Sequence, residues 1–129
     1  MRLGYIIVYV PDVPAALDFY ERAFGLERRF LHESNTYGEM ETGGTALAFA
    51  AESLVALNGI TARPNRRSDP SAAAEIGLVT DDVAAAYRKA VSAGAVAYQE
   101  PTEKPWGQTV GYVRDINGFL VEICSPMGA

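Results

Sequence analysis

The spacing of apolar residues changes along the chain in an order that occurs twice. Residues 5–10 form a short apolar run rich in β-formers, after which apolar residues recur every three or four positions until Gly25. Residues 75–80 begin a second copy of this order, and its helical spacing ends at Gly94. Each copy is typical of a short strand, an aspartate at a helix N-terminus and an amphipathic helix.

A fixed offset relates the two copies. Tyr5 corresponds to Glu75 and Asp12 corresponds to Asp82, and each pair is 70 residues apart. The pattern after each helix predicts three further strands, and the offset grows to 74 in the last hairpin of each copy. The predicted strands cover residues 27–32, 37–41 and 45–50 in the first copy and 96–100, 109–114 and 119–124 in the second.

The chain therefore reads as an α+β protein built from two β-α-β-β-β repeats. We expect one domain over residues 1–129, with repeat one at about 4–52, a connection at 53–71 and repeat two at about 72–126. A single repeat leaves the helix-free face of its sheet uncovered. We therefore expect the repeats to combine into one curved mixed sheet around a ligand cup, with the helices on the outer face.

Composition places the chain among globular proteins and argues against several partners. Its 129 residues are 49% hydrophobic and 21% charged, which is ordinary for a globular domain. A formal net charge of −5 argues against a nucleic-acid partner, which requires a basic surface. No apolar run approaches the roughly 18–20 residues that cross a bilayer, so we expect no membrane partner. The single cysteine and the lack of an export signal lead us to expect a cytoplasmic protein.

Short motifs in both copies resemble those of a known family. They are Val10-Pro11-Asp12-Val13, Asp18-Phe19-Tyr20, Phe24-Gly25-Leu26, Pro105-Trp106-Gly107 and the run from Val113 to Glu122. Together with the repeat they resemble the vicinal oxygen chelate superfamily, which includes glyoxalase I, bleomycin-resistance proteins and extradiol dioxygenases. The resemblance covers about residues 4–126. It is specific for the fold and not for a function, because the superfamily contains both enzymes and proteins that only sequester drugs. It also implies a homodimer.

Metal-binding members of this superfamily hold a divalent ion with inward side chains on the first and last strands of each repeat. Carried over to this sequence, those positions are Tyr5, Ala48, Glu75 and Glu122. Only the two glutamates are good ligands, whereas a catalytic metal normally has three or more protein ligands. We therefore expect no metal or other cofactor. The alternative is a divalent metal completed by His32 or by substrate and water.

The same two glutamates are the candidate catalytic residues. If Glu75 and Glu122 face one cup, their repulsion makes the pair suitable for acid–base chemistry or for holding a cation. Aromatic rings stack on planar ligands and attract cations, and Trp106 stands out because it lies in a loop without apolar neighbours. The predicted ligand-binding residues are Tyr5, Tyr9, Glu75, Trp106 and Glu122.

Two further features receive a structural interpretation. Arg63, Arg66 and Arg67 in the connection are able to grip an anionic substrate, but such a run is more often a solvated loop. Cys124 falls on the predicted cup side with no histidine near it in sequence, so we interpret it as a small buried apolar residue.

The sequence thus predicts a metal-free small-molecule binding protein of the bleomycin-resistance type, which sequesters an aromatic or cationic compound. The resemblance implies a role in antibiotic resistance. The alternative is a glyoxalase-like lyase, isomerase or dioxygenase that uses a divalent metal or the Glu75–Glu122 pair. A third possibility is an accessory subunit that binds a protein through an exposed apolar surface. The expected partners are a small molecule and a second copy of the chain.

Overall fold

The chain folds into two units with the same order of strands and main helix. The computed structural model describes residues 1–128. Contacts divide it into Met1–Pro64 and a second unit that begins at Asn65, a boundary that falls inside the predicted connection. The first unit contains β1 (Tyr5–Val10), α1 (Val13–Phe24), β2 (Glu27–Leu31), β3 (Tyr37–Glu41), β4 (Ala46–Ala51) and α2 (Ser53–Leu57). The second contains β5 (Glu75–Val79), α3 (Val83–Ser92), β6 (Val96–Glu103), β7 (Thr109–Arg114) and β8 (Leu120–Cys124).

Each unit has a four-stranded mixed sheet. The strand order is β1-β4-β3-β2 in the first and β5-β8-β7-β6 in the second. β1 pairs with β4 and β5 pairs with β8 in parallel, whereas the other neighbours are antiparallel. The α+β class and the repeated β-α-β-β-β order are therefore confirmed. The hydrogen bonds form two sheets, one in each repeat, where the sequence predicted one curved sheet.

Both main helices begin at the predicted aspartates. Asp12 Oδ1 accepts a hydrogen bond from the Ala15 backbone N–H at 3.0 Å, and Asp82 Oδ1 accepts one from Ala85 N–H at 3.1 Å. These bonds satisfy backbone donors that a helix start leaves without partners. α1 ends at Gly25, whose φ of 68° lies in the left-handed region that glycine adopts without strain. The 70-residue offset therefore relates equivalent helix starts.

A glycine on the third strand of each sheet lets the main helix approach. A Cβ on Gly38 would lie 2.6 Å from Leu17 Cδ1, and a Cβ on Gly111 would lie 3.2 Å from Tyr87 Cδ2. Leu17 and Tyr87 are themselves 70 residues apart, at equivalent helix positions. The helices thus fix which face of each sheet is covered. The opposite faces carry the side chains that alternate with the helix-facing ones.

Two elements differ from the sequence prediction. α2 has only five residues, and no side chain caps its N-terminus, so no capping signal marks it in the sequence. β6 runs on to Glu103 because its pairing with β7 tolerates two register shifts. The longer strand takes up most of the extra residues that raise the repeat offset. Among the described residues, the longest helix has 12 residues, short of the roughly 18–20 apolar residues needed to span a bilayer.

Candidate ligand-binding site

The second unit carries its polar side chains on the sheet face opposite α3. Glu122 lies in the middle of β8, with Tyr112 of β7 directly across on one side and Gly77 of β5 on the other. Its neighbours Val121 and Ile123 point to the helix side and are almost fully buried. Glu75 shares the polar face, because it lies two residues before Gly77 on the same strand.

Glu75, Tyr112 and Glu122 interact with one another. The Tyr112 hydroxyl donates a hydrogen bond to Glu122 Oε1 at 3.1 Å. Desolvation by burial, together with that hydrogen bond, raises the pKa of Tyr112 to about 12. Desolvation of its carboxyl group and then the negative charge of Glu122 raise the pKa of Glu75. The structure therefore brings the two predicted glutamates close enough for their charges to repel.

Neither glutamate has a cationic partner among the described residues of its own unit. Within residues 65–128, no Lys, Arg or His side chain lies within 4.0 Å of the carboxylate of Glu75 or Glu122. Gly77 adds no side chain beside Glu122, since a Cβ there would lie 4.0 Å from Glu122 Oε2. Glu122 Oε2 thus lies beside the side-chain-free position of Gly77, while Oε1 accepts the Tyr112 hydroxyl.

Trp106 is held in place by a residue that the sequence did not single out. The Trp106 indole Nε1–H donates to Gln108 Oε1 at 2.8 Å, and Gln108 Nε2 donates to the Ser125 carbonyl at 2.9 Å. Gln108 is buried, whereas Trp106 is 59% exposed. The amide therefore anchors an aromatic ring whose surface stays accessible. A polar residue directly before an apolar strand was the only sequence signal for Gln108.

Cys124 lies on the same face and is buried. Its thiol donates to the Leu78 carbonyl at 3.7 Å, a long contact that sulfur permits. Burial raises the pKa of the Cys124 thiol to about 11, and a hydrogen bond with Glu122 and the negative charge of Glu122 contribute to the increase. A thiol with such a pKa is protonated at neutral pH and is a poor nucleophile. The predicted buried position is confirmed.

The first unit contributes the two predicted tyrosines. Tyr5 and Tyr9 alternate with Val8 and Val10 on β1 and lie on the face opposite α1. Tyr5 is 57% exposed and Tyr9 is half-buried. The predicted ligand set is thus divided, with these two residues in the first unit and Glu75, Trp106 and Glu122 in the second.

A charged network that the sequence analysis missed lies on this face of the first unit. Arg29 donates to Glu39 at 3.2 Å and forms two bonds of 2.8 Å with Glu41. The Tyr37 hydroxyl donates to the other oxygen of Glu39 at 2.6 Å. The Arg29 hydrogen bonds lower the pKa of Glu41 to about 2, and burial next to Glu39 raises the pKa of Tyr37. Alternation within residues 37–41 was the available signal for Glu39.

The four positions of the family's metal site occupy equivalent places in the two sheets. Ala48 pairs with Ile7 on β1 as Glu122 pairs with Gly77 on β5, so these two positions are equivalent in the two repeats. Ala48 offers only a methyl group. In the first unit this leaves the phenol of Tyr5, and in the second the two carboxylates. Within residues 1–128, no three His, Cys, Asp or Glu side chains are grouped so as to hold a metal ion. The donor set does not fit the family's metal centre.

His32, the other proposed metal ligand, is engaged elsewhere. It lies beyond the end of β2 in the first unit, where its Nδ1 is 2.8 Å from the Ser34 hydroxyl and accepts the Ser34 backbone N–H at 3.1 Å. The side chain organises the turn before β3.

Comparison with known proteins identifies relatives by sequence family and by fold. The family model of the glyoxalase/bleomycin resistance protein/dioxygenase superfamily matches residues 2–123. A search of curated proteins finds no significant match. Many solved structures are similar, and three illustrate the range.

A glyoxalase-related enzyme from Fulvimarina pelagi has a TM-score of 0.83 at 23% identity, covering 100% of this chain and 94% of that one. A glyoxalase/bleomycin resistance protein/dioxygenase family enzyme from Burkholderia phytofirmans PsJN has a TM-score of 0.79 at 20% identity, covering 97% and 98%. TioX from Micromonospora sp. ML1 has a TM-score of 0.71 at 22% identity, also covering 97% and 98%. At these identities the similarity establishes the fold and leaves the ligand to be argued from the site.

Proposed function

The chain belongs to the glyoxalase/bleomycin resistance protein/dioxygenase superfamily, and within it we propose that this protein binds an aromatic or cationic small molecule and sequesters it without a metal cofactor. The ligand lies on the polar face of the second unit. Glu75 and Glu122 attract its positive charge, and Trp106 contacts its apolar or aromatic part. Such binding makes and breaks no covalent bond.

The contrast between the two units is the observation that carries this proposal. Each unit has carboxylates on the face opposite its helix. In the first unit, Arg29 compensates Glu39 and Glu41. In the second unit, Glu75 and Glu122 form no ion pair within 4.0 Å with another described residue of that unit. Glu122 is half-buried, and a half-buried carboxylate is costly without a cationic partner, so a cationic ligand that supplies one binds favourably.

The exposed ring of Trp106 supports an aromatic ligand. Because Gln108 holds the indole through its N–H, the ring is oriented before a ligand arrives. Pre-orientation lowers the entropy lost on binding, and an exposed aromatic face stacks on planar groups and attracts cations. Replacing Tyr5 and Tyr9 individually with Phe and Ala tests whether these predicted contacts contribute as well.

A panel of small probes tests the proposal. Benzamidinium and benzyltrimethylammonium supply aromatic cations, and benzyl alcohol and benzoate are the neutral and anionic comparisons. Trp106 is the only tryptophan, so its fluorescence reports on binding and calorimetry confirms it. We expect both cations to bind, benzyl alcohol to bind weakly and benzoate not to bind.

A matched pair of variants assigns the charge effect to the site. Glu122→Gln should weaken cation binding about tenfold, the value of a charge-assisted hydrogen bond. Glu33→Gln makes the same charge change in an exposed loop and should leave the affinity unchanged. Failure of both cations to bind at millimolar concentration, or equal affinities for the two variants, would reject the proposal.

The raised pKa of Glu75 also favours a second candidate, an enzyme that moves a proton next to a carbonyl group. A carboxyl group with a raised pKa is a better base once it is ionised. Deuterium exchange at carbons next to a carbonyl, followed by NMR, measures such an activity. Exchange that Glu75→Gln or Glu122→Gln abolishes favours the enzyme, whereas cation binding without exchange favours sequestration. Titration with Mn²⁺, Ni²⁺, Zn²⁺ and Mg²⁺ tests the metal alternative directly.

Assembly and cellular role stay predictions of the sequence and its resemblance. We propose a homodimer, which size-exclusion chromatography with light scattering measures, and a role in antibiotic resistance in the cytoplasm. Expression in a sensitive bacterium, with growth scored against aromatic cationic antibiotics, tests that role. Protection that Glu122→Gln removes would support it, and unchanged sensitivity would reject it.

A further inference from the structure

The Arg114 guanidinium donates hydrogen bonds to backbone carbonyls of the connecting segment. Its guanidinium donates to the carbonyl of Arg66 at 3.3 Å, of Arg67 at 3.2 Å and of Asp69 at 2.6 Å. A further bond of 2.9 Å runs from Arg114 Nε to the Gly118 carbonyl. We call residues 66–71 the strap. One arginine thus ties the strap to the β7–β8 hairpin of the second unit.

Gly118 makes the close approach of the strap possible. It has a φ of 86°, and a Cβ there would lie 2.6 Å from the Arg66 carbonyl oxygen and 2.5 Å from Arg114 Nη2. The Ser71 hydroxyl also donates to the Gly118 carbonyl at 3.3 Å. Any side chain at this position would displace either the strap or the guanidinium. The turn therefore requires glycine at position 118, because only glycine leaves room for both the strap and the Arg114 guanidinium.

Arg114 lies on the same sheet face as the acidic pair. Tyr112 bonds Glu122 on that face, and Arg114 follows Tyr112 by two residues on β7. Arg114 pairs with Leu120, which makes Glu122 its diagonal neighbour on the next strand. Diagonal neighbours lie within reach of a side chain as long as arginine. The guanidinium nevertheless binds the strap carbonyls and does not pair with Glu122.

We propose that the strap keeps Arg114 away from Glu122 and so keeps the acidic pair of the second unit free for a cationic ligand. Arg114 is a positioning residue in this arrangement, and its withdrawal sets the charge of the site. The inference rests on the proposed function for its ligand. When the strap is released, the guanidinium swings to Glu122 and competes with that ligand.

Two substitutions of Arg114 separate its charge from its hydrogen bonds. Arg114→Met removes both, so the strap loosens and the acidic pair stays uncompensated. Arg114→Lys keeps a positive charge, but its compact ammonium cannot span four carbonyls as the planar guanidinium does. The lysine is therefore expected to pair with Glu122. We expect the conservative lysine variant to bind benzamidinium about three- to tenfold more weakly than the methionine variant.

Protease sensitivity measures how firmly Arg114 holds the strap, and it requires no ligand. The strap contains trypsin sites after Arg66 and Arg67, and mass spectrometry identifies cleavage there. Both Arg114 variants should be cut in the strap faster than the wild type. Arg88→Lys, a change on the exposed side of α3, is the control and should be cut at the wild-type rate. Unchanged cleavage in both Arg114 variants would overturn the inference.

Carbon-detected NMR titration of the glutamate carboxyl groups supplies a second readout that needs no ligand. A lysine paired with Glu122 stabilises the charged acidic pair, so the pair should titrate at lower pH in Arg114→Lys than in Arg114→Met. A role confined to packing would not move this titration. Equal titration curves in the two variants would therefore reject the inference.

A double variant checks the strap from its other side. Gly118→Ala should displace the strap, free Arg114 and weaken benzamidinium binding. Adding Arg114→Met should restore binding, whereas a purely structural defect would persist or grow. If Gly118→Ala does not fold, the comparison of lysine with methionine decides alone. Failure of the wild type to bind any cation rejects the proposed function. The protease and titration results still test whether the strap holds Arg114 away from Glu122.

Discussion

The Tyr112 hydroxyl donates to Glu122 at 3.1 Å, and in the other unit the Tyr37 hydroxyl donates to Glu39 at 2.6 Å. Both tyrosine–glutamate pairs lie on the sheet face opposite the main helix. The first unit adds Arg29, which forms ion pairs with Glu39 and Glu41, whereas no ion pair within 4.0 Å joins Glu75 or Glu122 to a described residue of the second unit. Two sheets of the same topology therefore differ in that the carboxylates of the first face are ion-paired and those of the second face are open to a positively charged group.

Arg29→Gln tests the ion-paired face of the first unit. Glu39 and Glu41 lose their cation, and the Glu39 side chain is only 13% exposed, so the variant should be less stable at pH 7. The Arg29 hydrogen bonds lower the pKa of Glu41 from 4.5 to about 2, so their stabilisation is present above about pH 4.5 and is lost as the pH falls towards 2.

Urea denaturation at pH 7 and at pH 2–3 measures the effect. The gap between wild type and Arg29→Gln should shrink on acidification. Arg88→Gln, on an exposed face of α3, removes the same charge and should show little change at either pH. A gap independent of pH would show that the network does not depend on charged carboxylates.

The open face should bind cations in a pH-dependent way. Because burial and Glu122 raise the pKa of Glu75, this carboxylate becomes protonated at a higher pH than an ordinary glutamate. Benzamidinium affinity should therefore begin to fall at a pH above 4.5 as the solution is acidified. Calorimetry from pH 8 down to pH 4 records the curve, and Glu75→Gln should flatten its upper part. An affinity that is constant over this range would contradict a role for Glu75.

Most of the fold was predictable because helix caps and apolar spacing, which depend only on residues close together in sequence, mark the elements of each repeat. Asp12 and Asp82 cap their helices through their own side chains, and apolar spacing marks the faces that the helices bury. These signals need no knowledge of distant contacts. The five-residue α2 lacks such a cap, and the bulges of β6 depend on its pairing with β7, so neither was visible in the sequence.

The site was only partly predictable, for a related reason. Alternation along β5 and β8 correctly placed Glu75 and Glu122 on one face. The roles of Arg29 and Arg114 depend on which partner each guanidinium meets across strands or in the connection. Such choices are decided by register, bulges and a single glycine. Residue type and spacing alone do not encode them.

Tyr112→Phe tests the hydrogen bond to Glu122. The folded protein raises the pKa of Tyr112 from 10 to about 12, chiefly by burial and by the bond to Glu122. A raised pKa gives stability that is fully present below about pH 10 and is lost as the pH rises through 12. Alkaline unfolding of the variant should therefore be less steep over this range. Absorbance near 295 nm should also lose one late-titrating tyrosine, and an unchanged titration would contradict the assignment.

The glycines beneath the two helices should be the least replaceable residues of the sheets. A Cβ on Gly38 meets Leu17 Cδ1 at 2.6 Å and the Phe30 carbonyl oxygen at 3.1 Å, and Leu17 is fully buried. Gly38→Ala should therefore lower the free energy of unfolding by about 1–3 kcal/mol, the range for overpacked sites. Gly111→Ala meets its nearest neighbours at 3.0–3.2 Å and should cost less. Gly44→Ala, with no atom within 4 Å of the added carbon, is the control for the glycine-to-alanine change. Urea unfolding ranks the three, and a Gly38 variant as stable as the Gly44 variant would show that α1 does not rest on the β3 backbone.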